Sequence, residues 1–340
     1  MLLDFEQTPA AARVLDQIGR TEDLALSPDN RRLAVAGFAR NRIVVFDIEF
    51  EINAAAPRIR LGRPLCFRDP CLRHPHGIAW LGDDALIVAN RRGEAPVFRL
   101  PRHRPAVDEI PLAPARLLRG SWWRTLRAPG SVCVGRSADG QVEALFCENY
   151  EHKVVRFVVD VNADFRFRSS AVLLEEGLDI PDGIALDPSN RWIAVSNHAR
   201  HSVAIFDRNG RLRRHSAACG VLSGMCYPHG LRFSPDGKML LVADAGAPFV
   251  RVFQAVDDNW CGAHEPLASI RVMDDETFAR GHYNPQEGGP KGITLDRTGR
   301  VCGVTSTFQP LAFFDLPAAL SSSVSSSAGK AHMDVCAMAN

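Results

Sequence analysis

The sequence contains no run of 18 apolar residues, so it holds no candidate membrane-spanning helix. It has no surplus of either charge. Forty Lys and Arg face 39 Asp and Glu, a net charge of +1. That leaves no basic footprint for a phosphate backbone, and nucleic acid is excluded as an expected partner. Its amino-terminal residues, Met1-Leu2-Leu3-Asp4-Phe5-Glu6, lack the basic-then-apolar order of a secretory leader. The nine cysteines form no CxxC and no zinc-ribbon spacing. Cys133, Cys147 and Cys302 sit in apolar runs, as small buried hydrophobes do. A reduced, cytoplasmic protein without a membrane partner is expected. No nucleotide-cofactor motif is present, and no helical periodicity of useful length extends along the chain.

What the chain has is turns. Among 340 residues, 46% of them apolar, stand 26 Gly and 22 Pro. They punctuate one phrase that recurs six times: TEDLALSPDNRRLAVAG (21–37), PHGIAWLGDDALIVAN (75–90), PGSVCVGRSADGQVEALFCEN (129–149), PDGIALDPSNRWIAVSN (181–197), PHGLRFSPDGKMLLVAD (228–244) and PKGITLDRTGRVCGVTS (290–306). In most copies a Pro, a variable residue and Gly open a short apolar strand. A turn rich in Asp, Pro, Asn and Gly leads to a second strand. Third strands ending in an aromatic follow, as in IVVFD (43–47) and SVAIFD (202–207), and weaker fourth strands after them, as in RSSAVLLE (168–175).

The variable residue falls at Glu22, His76, Gly130, Asp182, His229 and Lys291, with spacings of 54, 54, 52, 47 and 62. Four strands per repeat of this length predict an all-β, six-bladed β-propeller over residues 1–320. Blade six runs out after three strands, so residues Val14–Ile18 are expected to supply its outer strand and close the ring. Residues 321–340 read as a low-complexity tail.

Phase becomes chemistry in a propeller, because first strands line the channel. The six variable residues should form one ring at its mouth. The last residues of the second strands, Gly37, Asn90, Glu148, Asn197, Asp244 and Ser306, should form another, with Asn149 the alternative to Glu148. His, carboxylates and amides in one concavity suit a metal or acid–base site. His76, His229, Asp182 and Lys291 are the catalytic candidates. Glu22, Asp182, Asn197, Asp244 and Glu148 are the metal-ligand candidates. His76 and His229 lie on opposite blades and need not share an ion. The approach loops bring Trp122, Trp123, Arg124, Tyr227 and Tyr283 toward the mouth, and with Asn90 these are the substrate-binding candidates.

The segment PDGIALDPSNRWIAVSNHARHSVAIFD (181–207) resembles the SMP-30/gluconolactonase and NHL-repeat six-bladed propellers. SPDGKMLLVADAG (234–246) is similar to YVTN-type repeats, and the two PHG phrases resemble peptidylglycine-amidating lyase. The first resemblance implies a divalent metal, often calcium, held at the mouth by groups such as Glu22 and Asp182. The lyase resemblance implies zinc on His76 and His229. Together they imply a small-molecule substrate and a metal-dependent hydrolase, lactonase or lyase. Metal-free acid–base isomerisation or cyclisation is an alternative, with Lys291 as oxyanion stabiliser. So is a non-catalytic propeller that engages a protein partner on its rim.

Overall fold

The computed structural model describes residues 1–103, 105–118, 126–210 and 212–327. Six antiparallel sheets stand around one axis, each built on the four-strand repeat. First and second strands run Thr21–Leu26 with Arg32–Gly37, Pro75–Trp80 with Ala85–Asn90, and Pro129–Arg136 with Val142–Glu148. The remaining blades pair Pro181–Leu186 with Trp192–Asn197, Pro228–Phe233 with Met239–Asp244, and Gly292–Leu295 with Val301–Thr305. The phase read from the repeat therefore holds in every blade. Two blades are wider than expected. Glu109–Pro111 adds a parallel edge strand to blade one, and Gly262–His264 adds one to blade four.

The ring closes through an amino-terminal strand, but not the expected one. Leu2–Leu3 pairs with Phe313 and Phe314 of blade six. The residues expected there, Val14–Ile18, lie in helix α1 (Pro9–Ile18). Thr8 caps it, its side chain accepting from Ala11 N–H, and Pro9 fills a first-turn position that needs no donor. Ala11, Leu15 and Ile18, four and three residues apart, form one buried stripe against blade one. Helix α2 (Asp275–Gly281) precedes blade six. Helix α3 (Leu316–Ser327) runs through the expected tail boundary at 321, and the rest of that tail lies outside the described residues. No helix among the described residues is long and apolar enough to cross a membrane. Among the described residues seven cysteines are free thiols, including the buried Cys133, Cys147 and Cys302. Cys226 is disulfide-bonded, a departure from the expectation of free thiols throughout.

The Pro-x-Gly grammar has a structural cause. In five blades the pairing of first and second strands shifts register at the variable residue, between Thr21 and Leu24, Pro75 and Gly77, Pro129 and Ser131, Pro181 and Ile184, and Pro228 and Leu231. A bulge re-aims one side chain, here into the channel. The following Gly lets adjacent bulges touch. A Cβ on Gly183 would stand 1.9 Å from the His229 carbonyl oxygen, and one on Gly230 would stand 2.5 Å from that of Lys291. Gly230 N–H donates to that Lys291 carbonyl at 2.9 Å. In blade one Asp23 replaces the Gly, and its carboxylate accepts from Ile78 N–H on blade two at 2.9 Å.

Gly183→Ala should therefore cost about 1–3 kcal/mol or more, because backbone rather than a movable side chain blocks the new methyl. Gly210→Ala, whose Cβ meets only the Asp207 carbonyl at 3.6 Å, should be near neutral. Urea unfolding midpoints of the two variants check this difference.

Candidate functional site

The first-strand entries deliver five side chains and one carbonyl to a single point at the channel mouth. Glu22 Oε2 lies 3.6 Å from His76 Nε2 and 3.6 Å from His229 Nε2. His229 Nε2 also lies 3.3 Å from Asp182 Oδ2. Lys291 Nζ stands 3.1 Å from Glu22 Oε2 and 2.6 Å from Glu287 Oε2. Arg20 ion-pairs with Glu22 and Glu287, and its Nη1 donates to the Tyr283 hydroxyl at 2.9 Å. Glu22, His76, Asp182, His229 and Lys291 are all at most 5% exposed. The mouth is thus close-packed, not the open concavity expected. About 10 Å³ of free volume remains among its lining residues, the room that one water takes.

The channel is also narrower than expected. His76 and His229, from opposite blades, stack with ring centroids 5.1 Å apart, so both reach Glu22. His76 Nδ1 lies 2.6 Å from the Gly130 carbonyl and must donate to it, which leaves Nε2 as the free lone pair facing Glu22. Gly130 contributes by lacking a side chain. A Cβ there would meet Asn149 Oδ1 at 2.0 Å and Asp182 Oδ1 at 2.5 Å, where Asn149 now donates to Asp182.

Burial pushes the Glu22 carboxyl up, but the cations of Lys291 and Arg20 outweigh it and hold the group well below the usual carboxylate range. Burial likewise opposes ionisation of Asp182, which its neighbours, His229 and Arg91 foremost, hold far down. Burial, with Arg91 assisting, lowers His76 to about 4, and burial lowers His229 to about 3. Both imidazoles are therefore neutral near pH 7. Asp23, one residue below, is pushed up to about 6 by burial.

Three donor atoms, Glu22 Oε2, His76 Nε2 and His229 Nε2, lie within 4.8 Å of one another. The chemistry fits a divalent cation. Both imidazoles are neutral, His76 is oriented through Nδ1 by a backbone carbonyl so that its Nε2 is a lone pair, and Glu22 Oε2 is buried without accepting a hydrogen bond. A set of two imidazoles and one carboxylate suits zinc or a neighbouring transition ion better than calcium, which takes six to eight oxygens.

The expected second ring faces elsewhere. Asn90 accepts from Arg73 N–H and donates to the carbonyls of Cys71 and Glu94. Asn197 accepts from Asp179 N–H and donates to Gly177. Asp244 accepts from Cys226 N–H and pairs with Arg251 at 2.9 Å. Glu148 accepts from Arg127 N–H and lies 3.6 Å from Lys153. All four tie down the loop that enters their own blade, and the structure brings none of them to the Glu22 centre. Strand alternation explains the displacement, because the axis-facing position is one residue later. There Arg91 lies 3.5 Å and His198 4.0 Å from Asp182, Asn149 bonds Asp182, and Phe38 packs edge-on to His76. Sequence reasoning missed Arg20, Arg91, His198 and Glu287, and preferred Glu148 to Asn149. For Arg91, Asn149 and His198 the signal was the repeat itself, read one position too early.

Of the loop residues expected to meet substrate, Trp122, Trp123 and Arg124 lie outside the described residues. Tyr283 is 62% exposed above the mouth. Tyr227 packs edge-on against His201 with centroids 4.3 Å apart, and its N–H donates to His201 Nδ1 at 3.1 Å. Ile180 N–H donates to His152 Nδ1 and His74 N–H to Asn41 in the same way. Asn41, His152 and His201 each have φ near +50°, ending a short 3₁₀ turn after the second strand. These loop histidines fasten one blade's exit turn to the next blade's approach.

The fold and centre define a six-bladed β-propeller with a buried ionic cluster at one end of its channel. A family model, the lipoprotein LpqB beta-propeller domain, matches residues 4–125. No curated protein matches the sequence. A functionally unknown protein from Desulfotomaculum acetoxidans is similar in structure, with a TM-score of 0.55 and 12% identity, over 87% of this chain and 83% of that one. A protein from Bacteroides fragilis, described as a "putative 6-phosphogluconolactonase", is similar with a TM-score of 0.52 and 13% identity, over 84% of this chain and 76% of that one. At these identities the likeness is one of fold.

The two histidines bear on acid stability. They protonate near pH 6.5 when unfolded and only near pH 4 and 3 when folded. Between those values the unfolded chain binds more protons, so their contribution to stability is lost as the pH falls below about 6.5. Nitrogen-15 spectra of the imidazoles at pH 6 should show both rings neutral, with His76 protonated at Nδ1. Imidazolium signals from either ring at that pH would contradict the arrangement.

Proposed function

We propose that this protein is a small-molecule enzyme whose active site is the channel mouth, a metal-dependent hydrolase, lactonase or lyase. The observation that supports the reading is the convergence of Glu22 Oε2, His76 Nε2 and His229 Nε2 within 4.8 Å while both imidazoles are neutral. These three residues would hold the ion. Once bound, it would polarise a carbonyl or lower the pKa of its water. Asp182, 3.3 Å from His229, is placed to accept a proton. Lys291, already bonded to Glu287, is placed to steady a developing oxyanion. Arg20 keeps Glu22 ionised. Tyr283, Arg91 and Tyr150 stand around the entrance, the last two stacked with 5.5 Å between guanidinium and ring centroid. They would meet a polar or anionic substrate first. Lactones are the first class to screen, on the resemblance of the PDG repeats and the description that one fold neighbour carries. The seven free thiols favour a reducing, cytoplasmic setting, whereas the disulfide at Cys226 and the lipoprotein family model favour an oxidising, membrane-tethered one.

One observation favours a second reading. Lys291 Nζ, 3.1 Å from Glu22 Oε2, already supplies a cation where a metal would sit. Metal-free proton transfer through His76, His229 and Asp182 then follows, with Lys291 as the fixed positive charge.

Dialysis against zinc followed by elemental analysis separates the two readings. The metal reading predicts about one bound equivalent in the wild-type protein and at least tenfold weaker binding in Glu22→Gln and in the His76→Ala, His229→Ala double variant. Absence of bound metal in the wild type would leave acid–base chemistry or a non-catalytic binding role. Equal binding in the variants would place the ion elsewhere.

A further inference from the structure

Below the mouth the channel carries a second pattern. Three positions after each variable residue stand Ala25, Ala79, Cys133, Ala185, Arg232 and Thr294. Five of the six are small, and together they surround a cavity of about 260 Å³. Trp80 and Leu186 add apolar wall. The Trp80 indole N–H is already bonded to the Ala25 carbonyl at 2.9 Å, so its ring offers the cavity only apolar surface. Arg232 is the one charged residue in this lining. It also borders the mouth cavity and so divides the channel into a polar end and an apolar end.

The Arg232 guanidinium is poorly compensated. Among the described residues its one hydrogen bond runs from Nη1 to the Leu231 carbonyl of its own strand, at 3.3 Å. None of the described carboxylates forms an ion pair with it. Asp23 interacts with it electrostatically, but that carboxylate accepts from the N–H groups of Leu24 and Ile78, both at 2.9 Å. A half-buried guanidinium facing an apolar chamber meets the cost of its desolvation best by pairing with an anion that enters the chamber.

We propose that this chamber binds a small monocarboxylate with an apolar body, its carboxylate on Arg232 and its body against Trp80, Leu186 and the small-residue ring. One guanidinium matches one carboxylate in a two-point fork, whereas a phosphate dianion would need a second cation, and Arg232 is the one charged residue in this lining. The cavity lies just below the usual range for organic ligands, which limits the body to a single ring or a short alkyl chain. The proposal does not depend on the chemistry of the mouth.

The test uses benzoate and hexanoate, with benzyl alcohol and hexanol as uncharged partners. Calorimetry and Trp80 emission, referenced to Trp80→Phe, follow binding to the full chain. Both acids should bind at least tenfold more tightly than their alcohols. Arg232→Gln should weaken the acids at least tenfold, and Ala185→Leu, which fills the chamber without touching Arg232, should abolish binding. Equal affinity of acid and alcohol, or an Arg232→Gln variant that binds as the wild type does, would overturn the proposal. Crystals of the wild-type protein soaked in 4-bromobenzoate give a readout that needs no variant to fold. The bromine should appear in the lower chamber with the carboxylate toward Arg232, and a bromine found only elsewhere, or none, overturns the proposal.

Discussion

The close approach of neighbouring first strands around the axis is the constraint on which the rest of this molecule depends. Six blades can meet there only if backbone touches backbone, as Gly183 does His229 and Gly230 does Lys291. The same contacts force the bulges, and each bulge turns one side chain into the channel. Fold and centre are therefore one feature. The Gly that permits closure sits beside the residue that carries the chemistry, and blade one, with Asp23 in place of Gly, replaces a contact by a carboxylate that spans two blades.

The crowding also sets the electrostatics. Glu22, Asp182 and Glu287 face Arg20, Arg91 and Lys291 in a nearly dry volume, and the two imidazoles between them stay neutral. A neutral His beside an anionic Glu is a ready ligand pair for a soft or borderline cation, and equally a ready proton acceptor. Whether the centre works with Lys291 or with a metal turns on which cation Glu22 Oε2 prefers.

The repeat made the blade count, the strand phase and the mouth ring legible, because the phrase recurs at the axis-facing start of each blade, where five of the six first strands are bulged. Residues that act through local geometry were harder to read. Asn90, Asn197, Asp244 and Glu148 looked like ligands because amides and carboxylates end the second strands, but each is taken up by the backbone of its incoming loop. Arg91, Asn149 and His198 face the axis one position further on, just past the strand end, Asn149 and His198 in 3₁₀ turns and Arg91 in a bend. Residues Pro9–Ile18 are the best local exception to the lack of helical periodicity, with Ala11, Leu15 and Ile18 spaced as a helix spaces them, but the count of strands overrides that signal and assigns Val14–Ile18 to the closing strand. The closing strand, Leu2–Leu3, is too short to carry a pattern at all.

The central claim is that the bulges of blades one, two and five focus Glu22, His76 and His229 on one cation-sized point. Anomalous diffraction at the zinc edge, from crystals grown with zinc, tests it most directly. The account predicts a single peak at the mouth, about 2.0–2.2 Å from Glu22 Oε2, His76 Nε2 and His229 Nε2, with Lys291 drawn toward Glu287. A mouth without a peak, with Lys291 still seated on Glu22, would contradict it.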